Sequence, residues 1–216
     1  MRTQTTIDSI DEYVFEMQTA LADLPRPAVM MTISRLYDAW EQRKQVFVIG
    51  NGGSASTASH IANDLSKATI VPGAHRMKVM SLTDNVALMS AWANDTSYDA
   101  IFKEQLENLL EPGDTVLAIS ASGNSPNILR AIEFARDRGA FTIAWTGLSG
   151  GQLRNTADLC VHAPTEDIGM IESVHVVIDH LVTRQLFQNI QARTAAQATT
   201  RQPAENDLAA TAVSRS

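Results

Sequence analysis

Cysteine is almost absent from this chain of 216 residues. Cys160 stands alone, so no internal disulfide can form, and a reducing compartment is the expected setting. Its neighbours Leu159 and Val161 point to a thiol packed in a core. Positive charge is also scarce: 17 Lys and Arg against 24 Asp and Glu leave a formal net charge of -7. This argues against a surface that grips nucleic acid broadly, and a phosphorylated ligand would need local help against the overall field. No apolar run approaches the ~18 residues of a membrane span. The polar start Met1-Arg2-Thr3-Gln4 carries no signal-like stretch, so no membrane partner and a cytoplasmic location are expected.

What remains is an ordinary globular mixture, 44% hydrophobic and 19% charged, enough for one domain with extra helices. Ile7, Ile10, Val14 and Leu21 recur at helical spacing until Pro25 stops the run. Pro27 suits a new helix start, and Val29, Ile33, Leu36 and Trp40 form one stripe. Two partners are open for that stripe: the domain's own sheet, or a bundle shared between subunits. From residue 45 the rhythm changes. Val46 to Ile49 is a short apolar β-branched run, and four more strand candidates, at 78–81, 115–119, 141–145 and 158–162, alternate with helical patterns such as Ser125 to Arg138. This alternation predicts an α/β fold, a doubly wound five-stranded parallel sheet with helices on both faces. A long helix from about Gly169 to Ile190 closes it. The expected division is N-terminal helices serving oligomerisation over 1–44, the α/β domain over 45–190, and a disordered polar tail over 191–216.

Two strand ends suggest a ligand site, because open parallel sheets bind beyond the carboxyl ends of their strands. The first runs into Gly50-Asn51-Gly52-Gly53-Ser54 and then a helix. Glycines admit a ligand close to the backbone, and the helix start offers free N–H groups. Ala55 breaks the dinucleotide fingerprint and no P-loop Lys follows, which argues against a nicotinamide enzyme and a P-loop NTPase. The second strand ends in Ser120-Ala121-Ser122-Gly123-Asn124-Ser125, again before a helix. Three hydroxyls, a glycine and a helix start can wrap a phosphate without any Arg or Lys. Each serine alone could merely cap or make a turn bond; the paired loops argue for phosphate.

Titratable residues gather on two helices. His60 and Asp64 are four apart and share a face. The last helix carries Glu172, His175, Asp179 and His180. Glu172 and His180 are separated by roughly 12 Å of rise, so they meet one ion only by leaning together or by serving different sites in an oligomer. Imidazole with carboxylate suits zinc or a similar divalent ion. His175 reads as a packed or hydrogen-bonded helix residue, and His75 and His162 carry no pattern.

The two loops together resemble the SIS (sugar isomerase) domain family, and within it the phosphoheptose isomerases. The likeness runs from about residue 7 to 190 and includes Ala93-Asn94-Asp95, Thr146-Gly147 and Gly150-Gly151. It implies a flavodoxin-like SIS fold, a homotetramer with sites between subunits, and a divalent metal, usually zinc. It places phosphate binding on Ser54, Ser120, Ser122 and Ser125, beside Gly52 and Gly53, and sugar contacts on Asn51 and Asp95. Metal-ligand roles fall on His60, Asp64, Glu172 and His180, with Glu172 also among the substrate-binding residues. The chain departs from the family pattern at four places: Asp64 for Glu, Glu172 for Gln, Ala68 (beside Lys67) for Arg, and Ala121 for Thr. The implied reaction interconverts sedoheptulose 7-phosphate and a glycero-manno-heptose 7-phosphate through an enediol, with Asp64 and His180 as the acid–base pair. Two other readings compete: a non-catalytic SIS adaptor, and an isomerase for a different sugar phosphate.

Overall fold

The structure is a computed structural model that describes the backbone of residues 2–213 and the side chains of residues 6–199 other than that at position 8. Helices α1 (Arg2–Ala22) and α2 (Arg26–Glu41) lead into β1 (Gln45–Gly50), α3 (Gly53–Lys67), β2 (Lys78–Ser81) and α4 (Val86–Asp95). A single 3-10 turn, Tyr98–Ala100, precedes α5 (Lys103–Leu109). Then follow β3 (Thr115–Ser120), α6 (Pro126–Asp137), β4 (Phe141–Thr146), α7 (Leu153–Thr156), β5 (Leu159–His162) and α8 (Ile168–Val213). The strands form one five-stranded parallel sheet in the order β2-β1-β3-β4-β5. All five lie within a residue or so of the segments expected from sequence; continuous apolar stretches suit the inner strands, covered on both faces, whereas β2 at the edge leaves Lys78 and Met80 exposed.

Each sheet face has its own core. One is built by Ile33, Leu36 and Trp40 of α2, Ile61 and Leu65 of α3, and Ile171, Ile178 and Leu186 of α8. The other is built by Phe102 and Leu106 from around α5 and by Ile128 and Ile132 of α6. Each fully buried Leu or Ile contributes about 1.5–3 kcal/mol. The α2 stripe therefore packs within the chain, against α8 and the sheet. The α1 stripe does so only at its end, where Met17 and Leu21 pack on the first core beside buried Ala20; Ile7, Ile10, Val14 and the neighbouring Phe15 are exposed. Cys160 is half-buried beside the second core, where burial pushes its thiol up.

The last helix starts at Ile168, close to expectation, but continues to Val213 instead of ending near Ile190. The Ala, Gln and Arg that follow Ile190 are good helix formers, so losing the apolar period ends the packing and not the helix. Arg193 still pairs with Glu41 of α2 at 3.1 Å. No helix among the described residues is long and apolar enough to cross a membrane.

Candidate active site

Between β1 and β3 the chain's winding reverses, since β1 leads to β2 on one side and β3 lies on the other. Gly50 stands opposite Ile119 in the ladder, so both loops leave the sheet at one level, side by side in the crevice where such sheets bind ligands. The first loop turns so tightly that a Cβ on Gly50 would lie 2.5 Å from the Ser54 carbonyl oxygen. In the second, Gly123 has φ +63°, and a Cβ there would lie 1.9 Å from the Gly150 oxygen. The loop after β4 is thereby drawn in: Leu153 N–H donates to Gly123 O at 3.0 Å, and Gln152 N–H donates to Asn124 Oδ1 at 3.0 Å. Three strand ends converge on one cradle.

The serines differ in their engagements. Ser120 Oγ accepts from Gly123 N–H at 3.2 Å, and Ser122 Oγ accepts from Asn124 N–H at 3.3 Å, so both hold the turn. Ser125 sits at the N-cap of α6 yet makes no side-chain cap bond, which leaves its hydroxyl free for a ligand. Ser54 is buried in the first turn of α3, and Gly52 at that N-cap has no capping side chain. Two uncapped helix starts facing one crevice favour an anion.

Asn51, expected to touch a sugar, is held in place by its neighbours. Its Nδ2 donates to Asn127 Oδ1 and Asn127 Nδ2 donates back to Asn51 Oδ1, both at 2.9 Å. Tyr98 OH donates to the same Oδ1 at 3.1 Å. Asn127 is buried on α6, so this reciprocal pair ties the first loop to the helix that follows the second. Asp95 lies exposed at the end of α4, just before the turn that carries Tyr98, and its Oδ1 accepts from Asn94 Nδ2 at 2.8 Å.

Helices α3 and α8 run side by side in the same direction. A Cβ on Gly53 would lie 2.2 Å from Glu172 Oε1, and further along His60 faces Asp179. The first pair marks the cradle. The second lies two turns on, about 10 Å of rise. There His60, Asp64, Asp179 and His180 bring four ligand atoms within 4.8 Å of one another. His60 Nε2 is 3.2 Å from His180 Nε2, 3.4 Å from Asp64 Oδ2 and 3.8 Å from Asp179 Oδ2. His180 Nε2 is 3.8 Å from Asp64 Oδ2. The structure thus joins three of the four expected ligands, His60, Asp64 and His180, and adds Asp179. Glu172 lies at the cradle end of the seam.

Donors around a tetrahedral ion bonded at about 2.0–2.2 Å lie about 3.3–3.6 Å apart, close to these separations. Asp179 is 1% exposed, and its buried Oδ2 has no hydrogen-bond partner. Burial, then the nearby Asp64, push its carboxyl up to about 6. A cation would relieve both causes, so the residues present fit a divalent ion. The imidazoles are accessible, His60 43% and His180 57% exposed, and Asp64 is 20% exposed. His175, on the same helix, is a packing residue. It is fully buried, its Nε2–H donates to Thr146 O at 3.2 Å, and burial lowers it to about 4.

Sequence reasoning gave no role to Asp179, Asn127 or Tyr98. Asp179 shares a helix with His175 and His180, a signal too common to single it out. Asn127 had none, since its partner is 76 positions away. Of the departures, Ala68 is the C-cap of α3 beside exposed Lys67, and half-buried Ala121 lies between the two turn-holding serines.

A family model described as SIS domain matches residues 12–147. Lincomycin biosynthesis protein LmbN of Streptomyces lincolnensis is 38% identical over 187 residues, 82% of this chain and 68% of that protein. A phosphoheptose isomerase of Pelobacter propionicus is 36% identical over 165 residues, 74% of this chain and 84% of that one. A solved structure of a phosphoheptose isomerase from Francisella tularensis is 30% identical with a TM-score of 0.79, covering 87% of this chain and all of that one.

Proposed function

Because this chain belongs to the SIS-domain family, we propose that it is a phosphosugar aldose–ketose isomerase, converting sedoheptulose 7-phosphate to D-glycero-D-manno-heptose 7-phosphate. One observation carries the reading: an anion cradle and a carboxylate–imidazole cluster stand on one α3–α8 seam, about 10 Å apart. From C1 of a seven-carbon sugar to a phosphorus on O7 is eight bonds. At roughly 1.2 Å of extension per bond, as in an extended chain, that is again about 10 Å. The cradle would hold the phosphate while C1 and C2 reach the cluster.

The isomerisation needs no redox partner. A base removes a proton from C1 of the ketose, the electron pair forms the C1–C2 double bond, and the carbonyl oxygen takes up a proton to give the enediol. O1 then gives up its proton, C2 receives one, and the aldose results. Asp64 is assigned as the base and His180 as the acid at the oxygens, the pair at 3.8 Å. The ion, proposed as Zn2+, would be held by His60 and His180 with carboxylate oxygen from the cluster; when bound it polarises the carbonyl and offsets developing negative charge. Ser54, Ser120, Ser122 and Ser125 with Gly52 and Gly53 take the phosphate, so remote binding energy orients the sugar. Asn51, pre-set by Asn127 and Tyr98, and Asp95 on the adjoining rim take sugar hydroxyls. Glu172 closes the cradle over Gly53. A homotetramer is proposed, with the exposed apolar face of α1 covered by other copies, and the cytoplasm as the compartment, where phosphate charge retains the sugar.

A second reading keeps the chemistry and changes the sugar phosphate. It is favoured by the likeness to a lincomycin biosynthesis protein and by Asp64, a methylene shorter than the family's Glu. The test is incubation of zinc-supplemented protein with sedoheptulose 7-phosphate, followed by NMR beside an EDTA-treated sample. Metal-dependent heptose 7-phosphate supports the proposal. Bound zinc without turnover, but with turnover of another sugar phosphate in a panel, supports the second reading. Neither metal nor turnover refutes both.

A further inference from the structure

Asp64 is asked to do two things in this site, hold an ion and move a proton, and a carboxylate engaged in the first is a weaker base for the second. Asp179 offers a way to separate them. It is 1% exposed on α8 between the two core-facing residues Ile178 and Val182, where an unpaired charge is costly. Thr183, one turn on, donates its hydroxyl to Asp179 Oδ1 at 3.3 Å. That bond turns the carboxylate so that Oδ2, which has no hydrogen-bond partner, points to His60 Nε2 at 3.8 Å. Asp64 Oδ2 lies nearer the same nitrogen, at 3.4 Å, but its setting is open. Asp64 is 20% exposed, its Oδ1 accepts from Asn63 Nδ2 at 3.1 Å, and it lies on the accessible side of the cluster.

We infer that Asp179 is the carboxylate ligand of the divalent-ion site, oriented by Thr183, and that Asp64 is thereby left for proton transfer. The inference rests on reading the cluster as a metal centre. The buried carboxylate supplies fixed charge at the floor of the site, where water does not compete. The exposed one keeps the freedom to approach a substrate carbon. Thr183 is a positioning residue acting only through Asp179.

The experiment is a zinc-affinity measurement by competition with a chromophoric chelator on the full chain, for wild type, Asp179→Asn, Asp64→Asn and Thr183→Val, with far-UV circular dichroism as the fold check. Asparagine preserves shape and can still accept from Thr183. The expected result is a loss of at least about a hundredfold for Asp179→Asn and about tenfold for Thr183→Val, in line with removal of a ligand and of the group orienting it. Asp64→Asn stays within about threefold of wild type in zinc affinity while turnover falls. Undiminished zinc affinity in folded Asp179→Asn overturns the inference, as does an equal or larger loss in Asp64→Asn. Should Asp179→Asn fail to fold, unchanged affinity in Thr183→Val overturns it. Wild-type protein that binds no zinc refutes the metal centre itself, a failure distinct from these.

Discussion

The reciprocal amide pair between Asn51 and Asn127 has a strength that can be worked out and measured. Asn127→Ala deletes two hydrogen bonds of 2.9 Å. Each contributes about 1 kcal/mol net, and the half-buried Asn51 amide left with one partner, Tyr98, costs about 1 kcal/mol more. The expected destabilisation is therefore about 2–3 kcal/mol, read as a lower urea midpoint at unchanged slope. A double-mutant cycle with Asn51→Ala isolates the pair and should return a coupling energy of about 1.5–2 kcal/mol, since both bonds are already lost in either single variant. The pair ties the glycine loop to α6, so loosening it should raise KM for the phosphosugar more than it lowers kcat. A coupling energy under about 0.5 kcal/mol, the range expected of independent sites, would refute the idea that this pair locks the cradle.

Three further predictions use other features. Ser125→Ala should leave stability within about 0.5 kcal/mol, because no cap bond is lost, while phosphosugar KM rises about tenfold, the value of one charge-assisted hydrogen bond; a large stability loss with unchanged KM would return Ser125 to a capping role. His175 ordinarily titrates at 6.5 and burial lowers it to about 4, so between these values the unfolded chain binds a proton that the folded chain refuses. Stability is full above pH 6.5 and falls by about 3 kcal/mol as pH drops to 4; His175→Gln should flatten this part of the stability profile, and an unchanged acid slope in that variant would rule the assignment out. Phe15, 68% exposed on α1, should be covered in the assembled protein, so Phe15→Glu is expected to shift light-scattering mass towards smaller species without loss of helix content. An unchanged mass would place the contact elsewhere.

The central strands were legible in sequence because a strand covered on both faces is apolar along its length, as in Val46-Phe47-Val48-Ile49; the edge strand β2, with Lys78 and Met80 exposed, was legible only from its place between helical patterns. The cradle was legible for a related reason. Close backbone approach needs glycine, so Gly50 and Gly123, where a Cβ would meet backbone atoms, mark the two tight loops in the sequence itself. The ligand cluster was only half legible. Helical spacing placed His60 with Asp64, and it placed Glu172, Asp179 and His180 along one helix, but it could not say which of the last three meets the first two. The far end of α8 was not legible, since the apolar period that ends near Ile190 marks packing, and a helix continues without it.

Local chemistry, then, was written in the chain: strand, helix, glycine turn, hydroxyl loop, and a pair of residues four apart. Such features depend on neighbours along the backbone, and their spacing survives in any conformation consistent with the element. Tertiary packing settled what depends on two elements meeting. The parallel seam of α3 and α8 put Asp179 against His60 and left Glu172 over Gly53, and the meeting of the first loop with α6 paired Asn51 with Asn127. Contacts across 76 or more positions follow from how whole faces interlock in a densely packed core, and no residue carries that information alone.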